Sequence, residues 1–284
     1  MSAPSLFRPV DGRRVTLVRD TTAVARVFAD DPVSSCMVAA RVADHGVDPR
    51  AIGGELWTRR GAEESLCYAG ANLIPLRGGS ADLWAFADQA LSTPRRCSSV
   101  VGPADLVLEM WERLRPGWGP ARDVRDHQPL LALGSRPASA ADPAVRRVRV
   151  DELDAYLVAA VDMFIGEVGI DPRVGDGGRG YRRRVAALIA AGRAYARFER
   201  GQVVFKAEVG SQSPAVGQIQ GVWVHPEWRG HGLGTAGTAS VAAAVVAGGR
   251  IASLYVNNFN TVARAAYDRV GFRQVGTFAT VLLD

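Results

Sequence analysis

Val222-Trp223-Val224-His225-Pro226-Glu227-Trp228-Arg229-Gly230-His231-Gly232-Leu233-Gly234 is the stretch on which the fold turns. Apolar residues run up to a proline, which closes a strand because it offers no ladder N–H. Closely spaced glycines follow at Gly230, Gly232 and Gly234. They permit a tight bend that exposes successive backbone N–H groups. An Ala/Val-rich segment then reads as a buried helix to about Gly248. A strand, a glycine turn and a helix N-terminus together form a place for a pyrophosphate, with Arg229 adding a guanidinium charge. A strand–helix turn with glycines chosen for packing is the plainer reading. No Gly-Lys-Ser/Thr follows, so the turn is not a P-loop, and the glycine spacing does not fit GxGxxG.

Outward from this turn the second half reads as a compact α/β unit. Val145–Val150, Ala194–Glu199, Val203–Val209, Val216–Val224, Ile251–Val256 and Phe278–Leu283 are expected strands. Glu152–Val161, Tyr181–Ala191 and Thr261–Val270 are expected helices, and the glycine-containing segment Phe164–Gly180 is expected to be a mobile loop. The first half alternates in the same manner. Strands are expected at Val15–Val18, Ile52–Arg59, Ser65–Ala69, Leu73–Leu76, Ser98–Val101 and Pro129–Leu133. Helices are expected over Val33–Ala43, after Ser80, and from Pro103 through Leu114. Between the halves, the small residues and prolines of 134–144 suit a linker. The expected domains are therefore 1–140 and 141–284.

Composition limits the function classes. The 284 residues are 48% hydrophobic and 22% charged, which excludes a wholly disordered chain. Three cysteines, none in CxxC spacing, make no disulfide framework. No metal site is expected, since His225 and His231 lack partners at ligand spacing. Phe7–Val10 is too short for a signal-peptide core, and no apolar run is long enough to span a membrane. A soluble, cytoplasmic protein is the expectation. Of 34 basic residues Lys206 is the single lysine, and the net charge is +5. The basic excess falls in the second half, where the arginines from Arg173 to Arg200 read as a solvated face or as attraction for an anionic ligand. Nucleic acid requires a recognisable module or interleaved aromatics as well, and neither is present.

Residues 145–284 resemble the GNAT superfamily of N-acetyltransferases. The family's Gln/Arg-x-x-Gly-x-Gly/Ala signature matches Arg229, Gly232 and Gly234, and Leu254–Asn260, Ala263, Tyr267, Gly271 and Phe272 match its second cofactor-side motif. The whole chain is also similar to an actinobacterial group with a degenerate acetyltransferase-like domain ahead of the catalytic one. The resemblance implies a mixed central sheet flanked by helices in the second half, preceded by a smaller or degenerate GNAT-like α/β domain. The first half lacks the Arg-x-x-Gly-x-Gly turn, so a structural or substrate-shaping role is expected there, with a second ligand pocket as the alternative.

The same resemblance implies acetyl-CoA as cosubstrate and an unidentified amine, small molecule or protein, as acceptor. Pyrophosphate would meet the amides of Arg229, Gly230, His231, Gly232, Leu233, Gly234 and Thr235. Pantetheine would run along Val222 and Val224, with Asn260 as a further contact or simply a helix cap. Tyr267 would protonate the leaving thiolate, or serve only in packing, and the Val224 N–H would stabilise the oxyanion. Many family members carry a glutamate where Gln218 stands, so the general base is open. Glu208 and Glu167 are candidates, each with a structural or solvated role as the plainer reading. A non-enzymatic acyl-CoA-sensing or protein-binding module is the rival function. The oligomeric state is left open.

Overall fold

A computed structural model describes residues 14–59 and 61–284, so Phe7–Val10 lies outside the described residues. The chain divides into two compact units. One comprises residues up to Gln128 together with Phe278–Asp284, and the other is Pro129–Thr277. The division thus falls at Gln128/Pro129 rather than near residue 140, and the last seven residues return to the first unit.

In the first unit β1 (Thr16–Leu17) precedes α1 (Thr21–Asp30), α2 (Cys36–His45) and α3 (Pro49–Ile52). Then come β2 (Gly54–Thr58), β3 (Leu66–Gly70), β4 (Leu73–Arg77), α4 (Ser80–Leu91), β5 (Ser99–Pro103), α5 (Ala104–Trp118) and β6 (Asp123–Leu133). β1 to β4 form an antiparallel meander. β4 and β5 are parallel, and Phe278–Leu282 adds an antiparallel strand to β5. Leu83, Phe86, Val107, Met110 and Trp111 from α4 and α5 bury against Val100, Ala279 and Val281.

The second unit holds β7 (Arg146–Arg147), α6 (Leu153–Val168), α7 (Arg179–Ala190), β8 (Ala194–Glu199), β9 (Gln202–Gln212), β10 (Val216–Val224), α8 (Leu233–Ala247), β11 (Ile251–Tyr255), α9 (Thr261–Val270) and β12 (Arg273–Leu282). β7 to β10 are antiparallel, β11 joins β10 in parallel, and Leu130–Leu133 of β6 pairs antiparallel with β11. The mixed sheet is flanked by helices, as expected. Its core joins Phe205, Ile219, Val241, Val245, Leu254 and Phe272. A second cluster packs Tyr156, Ala160 and Val185 of α6 and α7 on Ala196 and Val203. The element order β4-α4-β5-α5-β6 recurs as β10-α8-β11-α9-β12, and the first two strands of each run are parallel.

Two expectations change. Phe164–Val168 is the last part of α6 and not loop; the helix stops at Gly169, whose φ of +75° suits a left-handed C-cap. The expected linker is tied down within the second unit. Ala138 N donates to Val270 O at 2.9 Å, and Asp142 N donates to Ala236 O at 3.2 Å.

Candidate functional site

The site begins with a parting of two strands. β10 pairs with β11 only over Val216–Gln218, opposite Ile251–Ser253, while β11 continues along β6 to Tyr255. Ile219–Val224 therefore have no ladder partner in β11, about 20 Å of strand at the usual rise. At the last shared rung Gln218 Nε2 and Ser253 Oγ are buried without hydrogen-bond partners.

A bulge shapes the free stretch. Gln220 faces Glu208 on β9, but Trp223 faces Lys206, so three steps on β10 match two on β9. Gly221 takes the strain with a φ of +59°. Beyond it, His225 N donates to Val204 O on β9 at 2.9 Å. By strand alternation the peptide groups of Val224 point the opposite way, toward the parted edge. Val222 lies within the bulge. Trp223 projects beside α6 and helps line a cavity of about 380 Å³ with Val158, Asp162, Arg200, Gln202 and His225.

The turn after β10 uses one of the expected donors itself, since Arg229 N donates to Pro226 O at 3.3 Å. Pro226–Trp228 forms one 3₁₀ turn, and Gly230 and Gly232 adopt φ of +79° and +78°. Gly232 caps α8 without a side-chain hydrogen bond, and no acidic residue occupies the helix's first turn. The amides of Leu233, Gly234 and Thr235 thus head a helix whose positive end is uncapped. Arg229 Nε donates to Val224 O at 3.1 Å, tying the turn to the strand end. His231 is exposed on the turn. Deeper in α8, a Cβ on Gly237 would lie 2.5 Å from Phe205, so this glycine lets the helix sit close against β9.

Tyr267 on α9 is 8% exposed and meets Phe272 edge-on, with ring centroids 6.2 Å apart. Burial first, and the Glu167 charge second, hold its phenol well above the ordinary tyrosine range, so it stays protonated at neutral pH. Glu167 is exposed on the last turn of α6. Asn260 caps α9, its Oδ1 accepting from Ala263 N at 3.1 Å. Glu208 is 1% exposed; its Oε1 accepts from Lys206 Nζ at 2.8 Å and from the Tyr156 hydroxyl at 3.2 Å. Burial pushes the Glu208 carboxyl up, but Lys206, Arg184 and Tyr156 together bring it below its ordinary value. Among the described residues no cluster of His, Cys, Asp and Glu could hold a metal ion, and no helix is long and apolar enough to cross a membrane.

This arrangement matches known proteins in shape more than in sequence. Residues 200–281 match the family described as FR47-like protein, and residues 54–156 match a domain of unknown function, DUF4081. A GNAT-family acetyltransferase from Colwellia psychrerythraea is 9% identical, with a TM-score of 0.57 over 95% of this chain and 100% of that one. A GCN5-related N-acetyltransferase from Kribbella flavida is 16% identical, with a TM-score of 0.53 over 86% and 95%. A Drosophila protein reaches 0.67 at 12% identity, over 96% and 99%. The chain has the GNAT fold. No curated protein matches the sequence.

Within this GNAT fold the structure gathers Val222, Val224, Arg229 and Gly230–Thr235 along one strand end and helix start. It brings Tyr267 within electrostatic reach of Glu167. It withdraws Glu208 into an ion pair. Sequence reasoning passed over Lys206, Tyr156 and Gly221. The available signal was a lone lysine inside the apolar strand Val203–Val209, where a charge must find a partner to be buried.

Proposed function

We propose that the second unit is an acetyl-CoA-dependent N-acetyltransferase acting on a primary amine, and that the first unit is a degenerate companion of the same fold. The observation that carries the reading is the parting of β10 from β11 beside the uncapped start of α8. An extended arm can add to the free edge of β10 as a further strand. Its pyrophosphate then meets the amides from Gly230 to Thr235, next to the Arg229 guanidinium, while the Arg229 amide stays bonded to Pro226 O. At the corresponding position of the first unit, β4 leads to α4 through Gly78-Gly79, and Asp82 Oδ2 already accepts from Gly79 N at 3.1 Å.

The bound thioester supplies the acetyl group. The amine nitrogen attacks its carbonyl carbon while the Val224 N–H donates to the carbonyl oxygen, where negative charge builds. As the carbon–sulfur bond breaks, Tyr267 gives its proton to the sulfur and is reprotonated through solvent by the proton the amine releases. Glu167, whose charge acts on the Tyr267 phenol, is the candidate to accept that amine proton. Asn260 offers its Nδ2 to pantetheine while Oδ1 caps α9. A reducing, cytoplasmic setting is the simplest one for a chain with three cysteines and no CxxC spacing.

A second reading, an acyl-CoA-sensing module, is favoured by Gln218, an amide where a carboxylate would serve as base. Thiol release from acetyl-CoA across a panel of small amines and amine-bearing peptides separates the two. Amine-dependent release with an equal yield of acetylated product supports the enzyme. Tight acetyl-CoA binding with no transfer supports the sensing module and overturns the enzyme.

A further inference from the structure

The single lysine of the chain is also among its most buried residues. Lys206 is 0% exposed, yet every other basic residue is an arginine. It lies on the β9 face toward α6, with its Nζ 2.8 Å from Glu208 Oε1 and 5.3 Å from the centre of the Tyr156 ring. The Lys206–Glu208 span on β9 is the one opposite the β10 bulge, since Lys206 faces Trp223 and Glu208 faces Gln220. The ammonium also abuts the bulge itself. A Cβ on Gly221 would lie 3.1 Å from Lys206 Nζ and 3.0 Å from Met163 Cε.

Burying two charges is costly, and apolar residues of equal volume often stabilise a fold as well. The pair therefore calls for a role beyond stability. A compact ammonium lies against the Gly221 backbone, where a planar guanidinium of greater breadth would need more room. Resting on the acyl-CoA reading, we propose that Lys206 is a positioning residue. With Glu208 it fixes the Gly221 bulge, and the bulge sets the direction in which Val222 and Val224 present their peptide groups to the acyl-CoA arm. Lys206 itself touches no ligand in this arrangement.

The test is the paired variant Lys206→Met/Glu208→Gln, which removes both charges at nearly constant volume. Calorimetry with coenzyme A and with acetyl-CoA gives Kd, and thermal melting reports stability. The expected result is a melting temperature close to wild type with coenzyme A affinity weakened about tenfold, equivalent to one misaligned hydrogen-bonding segment. A purely structural pair would move the melting temperature and leave Kd alone. Should the paired variant fail to fold, Glu208→Gln alone keeps the Lys206 hydrogen bond at reduced strength. It is expected to weaken Kd about threefold. Folded protein of either variant with a wild-type Kd overturns the proposal. Wild-type protein that binds no coenzyme A overturns the acyl-CoA reading and this proposal with it, so the two failures are distinct.

Discussion

Arg229 Nε donates to the carbonyl oxygen of Val224 across 3.1 Å, so the side chain that would face a pyrophosphate also holds the end of the strand that would face the thioester. The bond consumes the Val224 C=O and leaves the Val224 N–H for a ligand. It also couples the two ends of the proposed site through one residue.

Arg229→Gln is therefore expected to weaken acetyl-CoA binding more than loss of one surface charge would. A hydrogen bond to a charged group contributes about 1.5–3 kcal/mol, which corresponds to roughly tenfold or more in Kd. Turnover at saturating acetyl-CoA should change less than Kd. Arg229→Lys restores charge without the Nε geometry, so it should recover only part of the affinity. Titration calorimetry of the three proteins measures this.

Tyr267→Phe keeps the edge-on packing with Phe272 and removes only the hydroxyl. Acetyl-CoA affinity and melting temperature are expected to stay near wild type. Turnover should fall about 100-fold, the lower range for a positioned proton donor. Single-turnover thiol release isolates the chemical step; an unchanged rate there removes Tyr267 from the role of acid.

Much of the local structure around this turn is legible in the sequence. The strand, the glycine turn and the helix from Leu233 follow from alternation, proline and glycine acting locally. The same is true of the Asn260 cap and of most strands in both units. What escaped was non-local or depended on side-chain partners. Segment 134–144 looks like a linker by composition, but its bonds to Val270 and Ala236 join residues far apart in sequence. The capture of Phe278–Leu282 by β5, and of Leu130–Leu133 by β11, likewise leaves no local pattern. Phe164–Val168 reads as loop in the sequence because the four glycines after Ile170 outweigh a helix whose apolar face is still running. Glu208 is a candidate base in the sequence, where strand alternation already sets Lys206 on the same face; the contact and the complete burial of the pair are what the sequence does not show.

Glycine sites around the turn separate packing from binding. Gly237→Ala drives a Cβ to 2.5 Å from the Phe205 ring, and this core-facing overpacking should cost about 1–3 kcal/mol. Gly230→Ala meets no atom within 4 Å, but its φ of +79° strains an L-residue by about 1–2 kcal/mol. The first variant should lower the melting temperature with Kd for coenzyme A nearly intact. The second should weaken Kd by reshaping the turn. Melting curves with and without coenzyme A distinguish them.

Glu152 provides a pH test that is independent of the acyl-CoA reading. Its carboxylate takes two bonds from Arg146, at 2.8 and 2.6 Å, and one from Arg149 N at 2.9 Å. The Arg146 hydrogen bonds lead in lowering its pKa from 4.5 to about 2, with burial opposing and Arg149 assisting. A depressed folded-state pKa means that the stabilisation is present above the unfolded value and is lost as pH falls through the folded one. Glu152→Gln should therefore lower the melting temperature by about 2–3 °C at pH 7, where a paired carboxylate of this kind contributes up to roughly 1 kcal/mol. Below pH 4.5 the gap between the two proteins should narrow steadily, closing only as the pH falls below about 2. Melting temperatures recorded for both proteins between pH 2 and pH 8 check the slope. A constant gap across that range would show that the glutamate acts through packing and not through its charge.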